Sequence, residues 1–128
     1  MDTTAVTGVS GWRLWFALLG GAIAWTGHLM LAYAISEFGC TSGIGRRSVL
    51  GVSVVSWMLL LMSAAMIALA AWAYGTAGGV GRGARRTSHP DEQSTAEYVA
   101  HFGRIANGLF LFIVVIESVP IFFYLERC

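Results

Sequence analysis

Charge is scarce in this sequence, and the scarcity excludes an ordinary soluble domain. Of the 128 residues, 12% are charged and 56% are hydrophobic, whereas an average soluble domain is about 25% charged. Lysine is absent, and all eight basic residues are arginine. The net charge of only +1 argues against nucleic acid as a partner. The composition predicts a small integral membrane protein with a single membrane domain over residues 1–128.

The patterns that usually mark metal chemistry, nucleotide binding or transport are also missing. The chain has two cysteines but no CxxC motif and no cluster of histidines, so metal binding has little support. The glycine-rich segment 75–86 lacks the GxxxxGK[ST] pattern of a phosphate loop. The sequence has no internal repeat, which would be expected of a small transporter. We therefore expect no catalytic residue, no catalytic activity and no cofactor of the chain's own.

Three long apolar segments are present, and each exceeds the ~20 residues that a helix needs to cross a bilayer. The predicted spans cover about residues 13–38, 48–74 and 102–125, with a cytoplasmic loop over 75–101. Within this loop, Ser88 and Pro90 have the features of a helix start. We expect a short interfacial helix from Glu92 to His101, which runs into the third span. The predicted fold class is all-α, a polytopic membrane protein with three transmembrane helices and this interfacial helix.

Two ionisable residues lie within the predicted spans, and the cysteines relate their depths. Cys40 follows His28 by twelve residues, and Cys128 follows Glu117 by eleven. If a disulfide joins the two cysteines, His28 and Glu117 both lie about 16–18 Å from the tied ends at 1.5 Å per residue. Such a disulfide would contribute about 4 kcal/mol in the entropic account. We therefore predict a Cys40–Cys128 disulfide and an intramembrane pair of His28 with Glu117.

Small residues precede His28 at helical spacing, at positions 17, 21 and 24, and let another helix approach closely. We predict that this face packs on the third span, and that Asn107 bonds to a neighbouring helix. Four residues are predicted to support the polar pair: Trp25, Tyr33, Pro120 and Tyr124. Pro120 removes a backbone donor and frees a carbonyl near Glu117.

Glu117 admits two interpretations, because a carboxyl group in hydrocarbon must be protonated, paired or turned to a cavity. It either titrates as part of a function or holds helices together by a hydrogen bond. A haem bound by two histidines of one chain is disfavoured, because His89 and His101 lie in or beside the predicted loop. A haem or copper would have to be shared with a partner. The methionines at positions 58, 62 and 66 are better explained as packing than as copper ligands.

The arginine distribution favours a cytoplasmic N-terminus. In that orientation five arginines lie on the inner side (Arg13, Arg82, Arg85, Arg86 and Arg104) and three on the outer side (Arg46, Arg47 and Arg127). Both cysteines would then lie outside, where disulfides persist. Arg82, Arg85 and Arg86 are predicted to contact anionic lipid, at about 1 kcal/mol each. A cleaved signal peptide is disfavoured, because the apolar run is longer than the usual ~7–15 residues.

Two segments carry a resemblance to a known group of proteins. The segment 24–29 (Ala-Trp-Thr-Gly-His-Leu), with Tyr33 and Cys40, and the segment 117–120 (Glu-Ser-Val-Pro), with Cys128, resemble small three-span bacterial membrane proteins. Those proteins accompany haem-copper cytochrome c oxidase subunits. The resemblance implies an accessory subunit or assembly partner of a terminal oxidase in the bacterial inner membrane, bound to larger membrane subunits and lipid.

Two functional hypotheses follow. The first is a structural, non-catalytic subunit of a respiratory membrane complex. The alternative is a proton- or quinone-handling subunit, in which Glu117 titrates and His28 acts as its relay. A self-assembling pore and a small transporter rank below both.

Overall fold

Three long α-helices form almost all of the described chain. The structure is a computed structural model that describes the backbone of residues 11–86 and 90–124, and the side chains of residues 11–86 and 94–120. Helix α1 spans Gly11–Thr41, α2 spans Val54–Ala84 and α3 spans Pro90–Tyr124. Each contains a stretch long and apolar enough to cross a membrane, and each packs on the other two. The chain is a multi-pass membrane protein with the all-α fold that its sequence predicts.

The two ends of the bundle differ in composition. At one end α1 begins, α2 ends and α3 begins, and this arginine end carries Arg13, Arg82, Arg85, Arg86 and Arg104. The opposite end, the hairpin end, holds the connection between α1 and α2. A 31-residue helix such as α1 or α2 is about 46 Å long at 1.5 Å per residue. It therefore exceeds the ~30 Å of hydrocarbon and reaches into the headgroup region.

A short β-hairpin occupies the hairpin end, where the sequence had suggested the start of the second span. After a 3₁₀ turn at Ile44–Arg46, strand β1 (Ser48–Val49) pairs antiparallel with β2 (Val52–Ser53). Its two turn residues, Leu50 and Gly51, have φ of 55° and 79°, as a two-residue hairpin turn requires. The predicted start of the span at about residue 48 is therefore wrong, and the helix begins six residues later, at Val54.

Serine caps the second helix and so fixes where it starts. The side chain of Ser53 accepts a hydrogen bond from the backbone N–H of Ser56 at 3.1 Å, which satisfies one of the orphan donors of the first turn. The indole N–H of Trp57 donates to the carbonyl of Val49 at 3.2 Å and ties the hairpin to the helix.

The arginine end also differs from the prediction, because α2 continues through Ala84. The glycine-rich linker predicted at the start of the loop is wrong for residues 75–84, because these residues are helical. As expected, residues 92–101 run into the third span without a break. Tertiary packing overrides the low helix propensity of the glycines: a Cβ at Gly81 would lie 3.2 Å from that of Ala100. Ser88 lies outside the described residues.

Most side chains in the core of the bundle are small, and most of the large apolar ones face outward. Fully buried positions include Ala17 and Ala24 of α1, Ala73 and Ala77 of α2, and Ala100 of α3. Large side chains lie exposed on all three helices, among them Ile23, Leu61, Leu109, Phe112 and Ile116. This arrangement suits a lipid environment, where small residues allow close helix contact and no hydrophobic force acts between helices.

Candidate functional site

A group of polar side chains joins the three helices inside the half of the bundle nearer the hairpin end. We call it the histidine cluster and define it by five residues: Trp25 and His28 of α1, Ser63 of α2, and Glu117 and Ser118 of α3. His28 lies at its centre and is only 2% exposed. The small face of α1 brings the imidazole to the interior, because Ala17, Gly21, Ala24 and His28 follow one side of the helix at spacings of four, three and four.

The structure brings His28 and Glu117 together at one depth. Nδ1 of the imidazole lies 3.8 Å from Oε2 of the carboxyl group, which is longer than a hydrogen bond of 2.7–3.2 Å. Neither atom has a hydrogen-bond partner, although both are buried. The indole N–H of Trp25 donates to the other carboxyl oxygen, Oε1, at 3.3 Å.

The opposite ring nitrogen of His28 lies between two hydroxyl groups. Nε2 is 3.1 Å from the oxygen of Ser63 and 3.4 Å from that of Ser118. Ser118 donates its own proton to the carbonyl of Val114 at 2.7 Å, so toward the imidazole it can only accept. This arrangement favours a proton on Nε2 and leaves Nδ1 facing Glu117.

The tautomer of His28 determines where the pair of His28 and Glu117 can carry a further proton. With Nε2 protonated, overall neutrality requires one further proton, which is carried either by Nδ1 of His28 or by the carboxyl group of Glu117. The first case is an ion pair and the second a neutral pair, and transfer of the proton between them leaves the net charge of the site unchanged. Because uncompensated charge within hydrocarbon is costly, the pair can exchange this proton internally at much lower cost than it can gain or lose one.

The carboxyl group does not share the full burial of the imidazole. The side chain of His28 is 2% exposed, whereas that of Glu117 is 33% exposed on the surface of the bundle. Ile116 and Val119, its neighbours along α3, are exposed apolar residues at the same level. Glu117 therefore links the buried histidine to whatever surrounds this face of the chain.

A second polar contact lies about 15 Å away toward the arginine end, by the helical rise between residues 107 and 117. Asn107 is fully buried. Its amide nitrogen donates to the carbonyl of Ala17 at 2.6 Å, and its amide oxygen accepts from the N–H of Gly21 at 2.7 Å. These two backbone groups are four residues apart and are the ones that pair with each other in an α-helix. We call this contact the asparagine clamp.

The clamp confirms two predictions, that the small face of α1 packs on the third span and that Asn107 bonds to a neighbouring helix. The close approach depends on glycine. A Cβ at Gly21 would lie 2.9 Å from Cα of Asn107, and one at Gly103 would overlap the carbonyl oxygen of Ala17.

The residues predicted to support the pair of His28 and Glu117 do not all lie near it. Trp25 contacts Glu117, but Tyr33 is 72% exposed on the outer surface of α1 and does not support the pair. Pro120 lies exposed within α3. The side chain of Tyr124 lies outside the described residues.

Only one of the two cysteines in the predicted disulfide lies within the described residues. Cys40 lies exposed in the last turn of α1, and its predicted partner, Cys128, lies outside the described residues. The disulfide therefore stays a prediction. Arg82, Arg85 and Arg86 lie exposed at the arginine end. Within the described side chains, no three His, Cys, Asp or Glu residues form a group that could hold a metal ion.

Sequence reasoning missed Ser63 as a partner of His28, although a signal was present. Buried and half-buried positions of α2 alternate at spacings of four and three: 59, 63, 66, 70, 73, 77, 80 and 84. This spacing is typical of a helix that packs along its length on others. Ser63 is the polar member of this stripe, which identifies it as facing the interior.

Comparisons with protein-family models, with curated proteins and with solved structures found no match to this chain.

Proposed function

We propose that this chain is a non-catalytic subunit of a larger membrane complex, in which a transmembrane helix of a neighbouring subunit covers Glu117. The observation that carries the proposal is the 33% exposure of this side chain within a membrane-spanning segment. A carboxyl group facing hydrocarbon costs ~2.5–3.5 kcal/mol on insertion scales when it is charged. A polar group on a partner helix would remove that cost.

The complex that we propose to test first is a bacterial respiratory terminal oxidase. The support for this choice is the resemblance of residues 24–29 and 117–120 to proteins that accompany haem-copper oxidases. The proposal includes the bacterial inner membrane and a cytoplasmic N-terminus, which the arginine distribution favours. It also includes the Cys40–Cys128 disulfide, since both cysteines would then lie in an oxidising compartment.

The test is purification of the tagged chain from its native membranes in a mild detergent, followed by a native gel and a reduced-minus-oxidised spectrum. We expect the chain to migrate in a larger particle that carries the haem absorption of an oxidase. A monomer in native-membrane nanodiscs, with no neighbouring subunit after cross-linking, would refute the proposal. A larger particle without haem would refute the oxidase assignment and leave the subunit role standing.

Two variants distinguish a specific role of Glu117 in the subunit contact from a general loss of stability. Glu117→Leu removes the polar group, and we expect it to release the chain from the particle. Glu37→Leu removes a carboxyl group that lies exposed near the end of α1, and we expect the particle to survive. If both variants assemble equally well, Glu117 is not part of the contact.

The second candidate function is proton handling by the histidine cluster. It is favoured by one observation, the facing pair of unsatisfied atoms Nδ1 of His28 and Oε2 of Glu117 at 3.8 Å. A small side-chain rotation brings them within hydrogen-bond distance, where one proton can pass between them. The exposed part of Glu117 then connects this proton to a partner or a quinone.

Assembly and turnover distinguish the two functions. Glu117→Gln keeps the shape and the hydrogen-bonding groups of the side chain but cannot titrate. If the chain handles protons, this variant assembles normally and the proton-coupled turnover of the complex falls. If the role is structural, assembly and turnover both remain normal. In that case, the infrared difference spectra of the wild type and the variant should show the same carboxyl bands.

A further inference from the structure

A groove between α2 and α3 opens at the arginine end and has a volume of about 430 Å³. Its floor has almost no side chains, because Ala77, Gly78, Gly81 and Ala100 line it. A Cβ at Gly78 would meet no atom within 4 Å. The small residues that bring the two helices together therefore also leave an open trough along their outer side.

Three guanidinium groups line the rim of this groove from two helices. Arg82 and Arg85 lie at the end of α2, and Arg104 lies on α3 across the groove. Among the side chains that the structure describes, Glu97 is the one carboxylate in the lining, and its Oε1 lies 3.9 Å from Nε of Arg85. Both side chains of that pair are well exposed, so the pair is weak. Counted over the described lining residues, three arginines and one glutamate leave the rim with a formal net charge of +2.

Arg104 is held in place before any ligand arrives. Its guanidinium group stacks over the ring of Tyr74 at 5.4 Å and donates to the phenolic oxygen at 3.3 Å. Cation–π stacking of this kind leaves the remaining N–H groups of arginine available for an anion.

The groove continues toward the middle of the bilayer as an apolar track. A second cavity shares His101 and Arg104 with the first, and it is also lined by Tyr74, Ile105 and Gly108. Residues 105 and 108 lie one to two turns farther into the membrane along α3 than residue 101. A charged rim thus meets an apolar track at the level where headgroups give way to acyl chains.

We propose that this groove binds one anionic phospholipid. Its phosphate lies against Arg82, Arg85 and Arg104, and an acyl chain follows the track past Ile105 and Gly108. Guanidinium groups bind phosphate oxygens through paired hydrogen bonds, and basic pockets between transmembrane helices suit anionic headgroups. The groove differs from a general basic surface because its charges come from two helices and face a floor with almost no side chains.

The test is native mass spectrometry of the full chain in a neutral detergent, titrated with phosphatidylglycerol, with phosphatidylcholine of the same acyl chains, or with inorganic phosphate. We expect retention of one phosphatidylglycerol and little retention of phosphatidylcholine. Since each arginine contributes about fivefold near an anionic lipid, the double variant R82Q/R104Q should weaken retention about thirtyfold. The matched control R46Q/R47Q removes two arginines at the hairpin end and should retain the lipid as the wild type does.

Three outcomes would overturn the proposal. Equal losses in R82Q/R104Q and R46Q/R47Q would show general electrostatic attraction. Equal retention of the two lipids would show an apolar groove without headgroup selection. Binding of inorganic phosphate as tight as that of phosphatidylglycerol would show a soluble-anion site.

A second pair of variants tests the apolar track and does not depend on the arginines. Gly108→Leu fills the track, and its Cβ would meet only Tyr74, at 3.6 Å. Gly75→Leu adds the same side chain at a position with no atom within 4 Å, beside a different groove. We expect phosphatidylglycerol retention to fall in Gly108→Leu alone. Unchanged phosphatidylglycerol retention in both variants would show that no acyl chain occupies the track, and would overturn the assignment of the groove to a phospholipid.

Discussion

The asparagine clamp and the histidine cluster differ in how completely their polar atoms are paired. In the asparagine clamp, the amide of Asn107 is fully buried and bonds to the carbonyl of Ala17 and the N–H of Gly21. In the histidine cluster, Nδ1 of His28 and Oε2 of Glu117 have no partner at 3.8 Å. The clamp also lacks any ionisable group, whereas the cluster has two.

This difference separates a contact that holds the helices from one that can respond to its surroundings. A satisfied buried amide gains nothing from a new partner, and its loss removes two hydrogen bonds that join α1 and α3. An unpaired, partly exposed carboxyl group gains from either a proton or a neighbouring subunit. The comparison therefore predicts that substitutions in the clamp reduce stability, and that substitutions in the cluster chiefly reduce assembly or proton transfer.

The largest expected effect comes from the glycine that brings the clamp helices together. Gly103→Leu places a side chain where a Cβ already overlaps the carbonyl oxygen of Ala17. Overpacking of this kind costs about 3 kcal/mol or more where the backbone cannot move. Unfolding of the purified chain by sodium dodecyl sulfate in mixed micelles measures the loss.

The control for this substitution lies one and a half turns along the same helix. Gly108→Leu adds the same bulk where a Cβ would meet only the ring of Tyr74, at 3.6 Å. We expect it to unfold near the wild-type midpoint. Similar losses of stability at positions 103 and 108 would mean that leucine destabilises α3 at either position. The loss at position 103 would then say nothing specific about the clamp.

Removal of the clamp amide should have the next largest effect. Asn107→Leu keeps the branched shape of the side chain with bulkier methyl groups, and leaves the contacts to Ala17 and Gly21 unmade. Hydrogen bonds between membrane helices average about 0.6 kcal/mol and reach about 1.7, so two bonds predict a loss of about 1–2 kcal/mol. The same unfolding experiment measures it, and a stability equal to that of the wild type would contradict the structural role of the clamp.

The sequence predicts the depth of the polar residues well and their partners poorly. The rise of an α-helix is constant, so counting residues from the cysteines places His28 and Glu117 at the same level. The small face of α1 indicates which side packs on α3. Neither the helical rise nor the small face identifies backbone atoms as partners, and the contact of Asn107 with Ala17 and Gly21 becomes visible only in three dimensions.

The ends of α2 show why local composition misled the prediction. Glycine is frequent between residues 75 and 83, which suggests a linker by helix propensity. The alternating four and three spacing of Ala73, Ala77, Val80 and Ala84 continues through the same segment and is the stronger signal, because it reports packing against other helices. At the other end, the apolar residues 49–52 resemble the start of a span, but Leu50 and Gly51 form a turn.

A smaller effect is expected from His28→Leu. The substitution removes the contacts of Nε2 with Ser63 and Ser118 and leaves Glu117 facing an apolar side chain. Because one of these hydrogen bonds is long, at 3.4 Å, we expect a loss of about 1 kcal/mol in the isolated chain. Ser63→Ala removes the shorter contact, at 3.1 Å, and should account for at least half of that loss. A loss larger than that of Asn107→Leu would mean that the cluster, and not the clamp, holds the bundle.

The smallest effect on the isolated chain is expected from Glu117→Gln. The amide oxygen of glutamine can accept from the indole of Trp25, as Oε1 does at 3.3 Å, and its NH₂ group can donate to Nδ1 of His28. We therefore expect a change in unfolding free energy within about 0.5 kcal/mol, as for a substitution that keeps its contacts. If the complex from native membranes then keeps its composition but loses proton-coupled turnover, the glutamate acts through its proton, and if both survive, it acts through shape and hydrogen bonding alone. A loss of stability comparable to that of Asn107→Leu would remove the distinction between the two contacts, because the glutamate would then hold the fold as the asparagine does.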